Sequence, residues 1–249
     1  MSEPRVQGRD ERGGSRVAAL RFLGAEARFL TFRSAPIARA ERGAFLWLAL
    51  GATWLAGIGR YWDHPDAGLW QHLGLGSLAY VFVLAALLWC VLRPLQPRAA
   101  SYADLLLFVG LTAPLAWLYA IPVERFMPTR QAAALNVWFL ATVALWRVAL
   151  LLRYFAVTAG LGVMTAIVVA LLPLAAIVVL LSILNLEHAT FELMAGVGEL
   201  GPNDDAYAIV VFLSALSVVL LPLLAIGYVT AIGVRRGALR RAAEAEAAE

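Results

Sequence analysis

The sequence contains no lysine, so arginine supplies all 20 of its basic side chains. It has one cysteine, Cys90, which excludes an intramolecular disulfide and a cysteine-based metal cluster. It also lacks a glycine-rich phosphate loop, a GxSxG motif and a soluble segment large enough to hold a nucleotide. These absences favour a protein without catalytic activity, and we expect no cofactor.

Apolar residues, in contrast, are in excess. Of the 249 residues, 62% are hydrophobic, and the mean hydropathy is +0.78. Soluble domains contain about 45–50% apolar residues, so much of the surface of this protein must face lipid. The composition predicts an all-α, multi-pass membrane protein.

Six apolar runs are long enough to cross a bilayer core, which needs about 20 residues per helix. The predicted spans are Ala44–Tyr61, His72–Leu92, Tyr102–Pro122, Ala133–Leu152, Tyr154–Leu184 and Tyr207–Val234. They divide the chain into an Arg-rich arm (1–43), a six-span transmembrane domain (44–234) and a short tail (235–249). Trp62, Trp70, Trp117 and Trp138 fall near one predicted interface, as in an aromatic belt.

The distribution of arginine predicts the orientation. With six spans, sixteen of the twenty arginines lie in the arm, the tail and the two loops on their side of the membrane. Because excess positive charge stays on the cytoplasmic side, both termini are predicted to be cytoplasmic, in a bacterial inner membrane. The same distribution explains the pI near 9.3 without a nucleic-acid partner.

The arm contains a segment of helical periodicity, Ser15–Ser34, in which Leu20, Leu23, Ala27 and Leu30 share one face. Phe22 and Phe29 fall on the far side, so the apolar face is not clean. Two interpretations stay open: a helix lying on the anionic inner leaflet, or a solvated or loosely docked arm.

Arg147 is the main charge predicted within the bilayer. It lies six residues before Arg153, or about 9 Å along a helix, within reach of the inner surface by snorkelling. The alternatives are a buried ion pair, with Asp104 at the start of the third span as the obvious partner, or a role in binding a substrate anion.

The segment GIGRYWDHPDAGLWQH (57–72) concentrates polar residues between the first two spans. His64, His72 and the more distant His188, together with Glu192, are candidate zinc ligands, because imidazole and carboxylate are the groups that bind zinc. No metal-binding motif supports the site, so hydrogen-bonded loop residues are the alternative.

Asp63 belongs to the same outer polar group, and depth suggests one ion pair within it. Arg60 ends the first predicted span and Glu124 ends the third, so both reach the same outer level. We expect this pair to connect the two helices.

Four blocks in the order AGIGRYWDHP, QHLGLGSLAYVFVLAALLW, LYAIPVERF and ALWRVALLLR occur between residues 44 and 153. With these blocks the chain resembles a set of uncharacterised bacterial polytopic inner-membrane proteins. The resemblance implies a bacterial inner-membrane setting and no particular activity. A more remote likeness is to Yip-type membrane proteins, which have five spans and a DLYGP-type loop that this sequence lacks.

These observations leave three functional interpretations. The first is a scaffold, partner subunit or membrane-organisation factor, associated with lipid and with a membrane protein or a second copy of the chain. The second is a small permease for a neutral or anionic solute, which passes Arg147 and helices kinked at Pro173 and Pro222. The third is an outer-face metal-dependent hydrolase that uses His64, His72 and His188.

Overall fold

A computed structural model describes residues 20–33, 37–61, 68–97, 101–184 and 205–247. These residues form helices and short connections, without a β-strand among them. The α-helices are α1 (20–30), α2 (Arg42–Tyr61), α3 (Leu69–His72), α4 (Leu75–Leu92), α5 (Tyr102–Leu111), α6 (Thr129–Arg153), α7 (Val163–Ile183) and α8 (Asp205–Glu246). Tighter 3-10 turns occur at Arg39–Glu41, Arg93–Leu95, Ala113–Ala120 and Val123–Arg125.

The described residues are all-helical, as predicted, and four helical segments are long and apolar enough to cross a membrane, which is compatible with an integral membrane protein. They are Leu75–Leu95, Ala134–Thr158, Val163–Ile183 and Ala208–Glu246. The predicted spans at 44–61 and 102–122 are not among these four. In α2, Arg42 and Arg60 leave 17 residues between them, the lower end of the usual range of about 17–25. The third predicted span is divided into α5 and the 3-10 segment Ala113–Ala120.

The described residues belong to two compact units. Unit 1 comprises Met1–Leu84 and Ala103–Ala120, and unit 2 comprises Ala85–Tyr102 and Ile121–Glu249. The core of unit 1 forms where α1, α2 and α5 meet, around Phe22, Phe45, Ala49, Leu107 and Leu111. In unit 2, α7 packs along α8 and against α6, and Phe155 and Val169 are fully buried.

In unit 1, α2 runs parallel to α5 and its 3-10 extension, in a register that three pairs of residues define. Arg42 lies beside Asp104 at one end. At the middle, a Cβ on Gly110 would come within 2.9 Å of the Ala49 Cβ, and at the far end a Cβ on Gly59 would come within 3.1 Å of the Ala120 Cβ. The missing side chains at these two glycines allow close packing of the helices.

The connection between α6 and α7 lies further along the chain than predicted. The sequence places a turn at Arg153, but α6 continues into a π-helical turn at Tyr154–Thr158. The chain leaves the helix only at 159–162, where Gly160 adopts a left-handed φ of 67°. Tyr154 and Phe155 are buried at the π-turn, so apolar packing extends the helix past the charged residue.

Both prolines predicted to kink a span lie within continuous helices. Pro173 lies in α7 and Pro222 in α8, and each helix continues on both sides of its proline. Pro173 is buried and Pro222 is exposed. Close packing occurs nearby, since a Cβ on Gly227 of α8 would lie 3.2 Å from a methyl group of Val168 in α7.

Candidate functional site: the docked N-terminal helix

Most of the predicted outer polar group lies outside the described residues. This applies to Asp63, His64, His188 and Glu192. For Arg60 and Glu124 the structure describes the helical backbone and not the side chains. The Arg60–Glu124 pair and the zinc site therefore stay predictions. Among the residues that are described, no three His, Cys, Asp or Glu side chains lie close enough together to hold a metal ion.

His72 is the one described histidine of the predicted zinc site, and it lies in the turn that begins α4. Its Nδ1 atom is 3.3 Å from the carbonyl oxygen of Gly68, which accepts a hydrogen bond when that nitrogen carries the proton. In the same turn the Gly68 amide donates to the Gln71 side chain at 2.7 Å. Hydrogen bonding within the turn is the role that the described contacts give to His72.

This turn packs tightly against α2. The Trp54 indole nitrogen donates a hydrogen bond of 2.8 Å to the carbonyl oxygen of Leu73. Gly74 has a φ of 66°, and a Cβ there would lie 2.7 Å from the Trp54 carbonyl oxygen. A Cβ on Gly57 would lie 2.7 Å from the Ser77 hydroxyl oxygen. Ser77 thus serves as a small residue at a close helix crossing.

Asp104 forms an ion pair with Arg42, since an Arg42 guanidinium nitrogen lies 3.0 Å from a carboxylate oxygen of Asp104. The sequence named Asp104 as the obvious partner of Arg147, a pairing that stays a prediction, and did not identify Arg42. Arg42 is favoured by the parallel register, which brings the first turns of α2 and α5 side by side. Arg147 lies in α6 of unit 2, with its side chain half-buried.

The main polar and apolar interface in unit 1 is made by α1, the helix of the arm. Phe22 packs edge to face on Phe45, with ring centroids 5.5 Å apart, and Phe29 packs on Phe108 at 5.6 Å. We call Phe22, Ala25, Glu26 and Phe29 the docked face, because these residues are buried or half-buried. Their spacing of three, four and seven residues is that of one helix face.

The opposite side, which we call the outer face, consists of Leu20, Leu23 and Ala27. Leu20 is 69% exposed and Leu23 is 57% exposed. Three of the four positions of the predicted apolar face, Leu20, Leu23 and Ala27, therefore point away from the core, and the sequence prediction named no side of the helix that packs on the protein. The two phenylalanines, with a larger apolar area each, occupy the core instead.

Glu26 is a carboxylic acid within the docked face. It is only 6% exposed, and its Oε1 atom accepts no hydrogen bond from the described residues. Burial raises the pKa of Glu26 from 4.5 to about 7, because an apolar environment disfavours the charged form. The group can therefore change its charge near neutral pH.

The sequence carried a signal for Glu26 that was not used. The positions Phe22, Ala25, Glu26 and Phe29 follow the 3.6-residue period as well as the leucines do. The helix α1 therefore has two possible apolar faces, one with the leucines and one with the two phenylalanines. Its one acidic residue, Glu26, lies at the centre of the face with the phenylalanines. Choosing between the faces required the partner surface, which the first and third predicted spans provide only after they pair.

Both ends of α1 are fixed. Arg21 pairs with Glu41 at 2.8 Å, an exposed contact that connects the first turn of α1 with the turn before α2. At the other end Phe32 has a φ of 59°, and the Arg33 amide donates to the Arg28 carbonyl at 2.8 Å. This is the six-to-one bond that closes a helix with a left-handed residue. The helix is thus a docked element with defined ends.

In unit 2, polar groups serve helix packing. The Tyr228 hydroxyl of α8 donates a hydrogen bond of 2.7 Å to the Val91 carbonyl of α4. Arg235 donates to the carbonyls of Leu95 and Gln96, at 3.3 and 3.5 Å, where the extended α4 helix ends. These contacts satisfy carbonyl groups at a helix end that have no partner within the helix.

Comparison with known proteins gives no match. No protein-family model, curated protein or solved structure matches the chain.

Proposed function

We propose that the protein is a six-span integral membrane protein of the bacterial inner membrane that acts by association rather than by catalysis. In this role it is a scaffold or partner subunit, with both termini in the cytoplasm. The observation that carries the proposal is the apolar surface of α8, a helix of 42 residues. From Ala208 to its end, Val210 and Leu224 are its buried apolar residues among those whose side chains are described.

Six spans, rather than four, are favoured by the register of α2 and α5. In the chain, α4 lies between α2 and α5. If the three helices cross the membrane in turn, outward, inward and outward, then α2 and α5 must run in the same direction, as they do. The 3-10 extension also compensates for the shortness of α5. Ten α-helical residues of about 1.5 Å rise and eight 3-10 residues of about 2.0 Å rise reach about 31 Å, the thickness of a bilayer core.

Association is favoured over catalysis by how the described polar residues are used. Asp104, Tyr228 and Arg235 each bind another part of the chain. Between Ala208 and Val234 the exposed side chains of α8 are apolar except for Thr230, whereas its last eleven residues, beyond Arg235, carry exposed arginine and glutamate side chains. Such a helix offers one surface to lipid and neighbouring helices and another to the cytoplasm.

Photo-crosslinking tests the association. A photoreactive residue replaces Val219 on the exposed side of α8, where 63% of the side chain is accessible, and the matched control replaces fully buried Val169 in α7. We expect a protein adduct of one defined mass from position 219 in native membranes, identified as a second copy or as one recurrent subunit. Adducts with lipid alone, from a protein that stays monomeric in mild detergent, would contradict the proposal.

A further inference from the structure

The depth at which α1 docks has a consequence for its outer face. The docked face belongs to a buried cluster that extends along the helices as far as Ala49 and Leu111, each seven residues beyond the Arg42–Asp104 pair. Seven residues of helix correspond to about 10 Å. This inference rests on the proposed function, because it takes α2 and α5 as spans with Arg42 and Asp104 at the membrane boundary. Interfacial helices bury their apolar side about 5–10 Å into the boundary of headgroups and acyl chains.

The surface charge of α1 is of one sign. Between residues 20 and 33 the one acidic residue is Glu26, and it is buried in the docked face, whereas Arg21, Arg28 and Arg33 are exposed. Arg21 is paired with Glu41. Arg28 and Arg33 therefore contribute the net charge of the helix surface, next to the exposed leucines.

From these observations we propose that α1 is an interfacial helix whose outer face inserts Leu20 and Leu23 into the inner leaflet while Arg28 and Arg33 bind anionic lipid headgroups. The occupant of this surface is an anionic bilayer. Apolar side chains beside exposed guanidinium groups suit the boundary where acyl chains meet phosphate groups, and guanidinium binds phosphate through two parallel hydrogen bonds. The docked face holds the helix on the protein, so lipid binding needs no folding of the helix at that step.

Hydrogen exchange of the full-length protein in lipid nanodiscs tests the proposal. One nanodisc contains phosphatidylcholine alone, and in the other about a third of the lipid is phosphatidylglycerol, enough to give a negative surface. We expect the amides of residues 20–33 to exchange more slowly in the anionic nanodisc. Each arginine near such a surface contributes about fivefold, so the double variant R28Q/R33Q should lose about 25-fold of this protection.

The control is R236Q/R240Q, which removes two exposed arginines from the projecting end of α8. It should leave the exchange of α1 unchanged. L20S/L23S should weaken protection in both nanodiscs, because it removes the inserted side chains without changing charge. Equal exchange of α1 in the two lipids, or the same loss in the control variant, would overturn the inference.

The same measurement separates this inference from the proposed topology. If the amides of residues 46–58 in α2 exchange slowly in both nanodiscs while α1 is indifferent to lipid charge, the lipid-binding role fails and the spans stand. Fast exchange throughout residues 46–58 would instead contradict α2 as a span.

Discussion

At the scale of the residue, Glu26 shows how one side chain can link packing to solution conditions. Its Oε1 atom is buried without a hydrogen-bond partner among the described residues, and a carboxyl group in such a place is costly to bury when charged and much less costly when protonated. Its neighbours on the docked face, Phe22 and Phe29, provide the apolar surroundings. The main effect of Glu26 is therefore on how the stability of α1 docking changes with pH.

The pKa of Glu26 predicts how the docking of α1 depends on pH. The folded value of about 7 lies above the ordinary 4.5, so the docked state binds the proton more tightly than the undocked state does. Docking is fully stable below about pH 4.5 and weakens as the pH rises through 7. We expect the exchange protection of residues 20–30 to fall across this window, by a free energy of about 3 kcal/mol.

Glu26→Gln tests this pH dependence, because the amide has the same shape and no charge. The variant should keep its protection at pH 8 and lose the dependence between pH 4.5 and 7. Glu244→Gln, in the exposed end of α8, should behave like the natural sequence. A natural protein whose α1 protection is constant from pH 4 to pH 9 would show that Glu26 does not control docking.

At the scale of the element, each unit joins helices distant in sequence through single polar contacts. Arg42 and Asp104 fix the register of α2 on α5, and Tyr228 joins α8 to α4. In lipid, helices gain little from hydrophobic association, so packing and hydrogen bonds between helices determine which surfaces meet. The contacts at Gly59, Gly110 and Gly227 are of the packing kind.

Tyr228→Phe should destabilise the contact between α8 and α4 by about 1 kcal/mol, the usual size of a hydrogen bond between membrane helices. The change removes a hydroxyl that donates to the Val91 carbonyl at 2.7 Å and leaves the ring. Thermal unfolding in mild detergent measures the loss. The matched control is Tyr80→Phe, since Tyr80 on α4 is half exposed. Equal midpoints for both variants would mean that the Tyr228 hydrogen bond contributes nothing to stability.

Helices could be predicted from the sequence where a local pattern of apolar residues determines them. The helical class and the apolar segments at 75–95, 163–183 and beyond 208 follow from composition and length. The helix α1 was also predicted, but its docked side was not, because both of its faces have helical spacing and the choice depends on Phe45 and Phe108. The turn at 159–162 was misplaced for a similar reason. Burial of Tyr154 and Phe155 is a tertiary effect that the charged Arg153 does not reveal.

Sites were harder to predict than elements. Asp104 was named as a partner for Arg147, which stays a prediction, whereas its pairing with Arg42 depends on a parallel register that cannot be read from separate spans. His72 attracted attention as a metal ligand because histidine is rare in this chain, and its described contact is with a carbonyl in its own turn. Glu26 was overlooked because it is one of five acids in an arm with nine arginines.

At the scale of the whole molecule, the number of spans determines which connections share a side of the membrane. With six spans, residues before α5 and before α6 lie on opposite sides. With only the four segments at 75–95, 134–158, 163–183 and beyond 208 crossing, both lie in one loop on the same side. The arm and the tail share a side in either case, so reporters at the two termini cannot distinguish the arrangements.

Cysteine labelling distinguishes them. In a Cys90→Ala background, Ser101→Cys precedes α5 and Gln131→Cys lies in the first turn of α6. We expect a membrane-impermeant thiol reagent to label position 131 in intact cells from the periplasmic side, and position 101 only after the membrane is opened. Ala247→Cys in the tail should behave like position 101. Labelling of positions 101 and 131 from the same side would contradict six spans.

The helix α8 is longer than a bilayer core requires. It runs from Asp205 to Glu246, and 42 residues with a rise of about 1.5 Å each extend about 63 Å, roughly twice the thickness of a bilayer core. Eleven of these residues follow Arg235, which donates to the carbonyls of Leu95 and Gln96, and they correspond to about 16 Å of helix. This end carries the exposed Arg240 and Arg241. If α8 crosses the membrane, about half of its length therefore lies outside the hydrocarbon core, where soluble proteins can reach it.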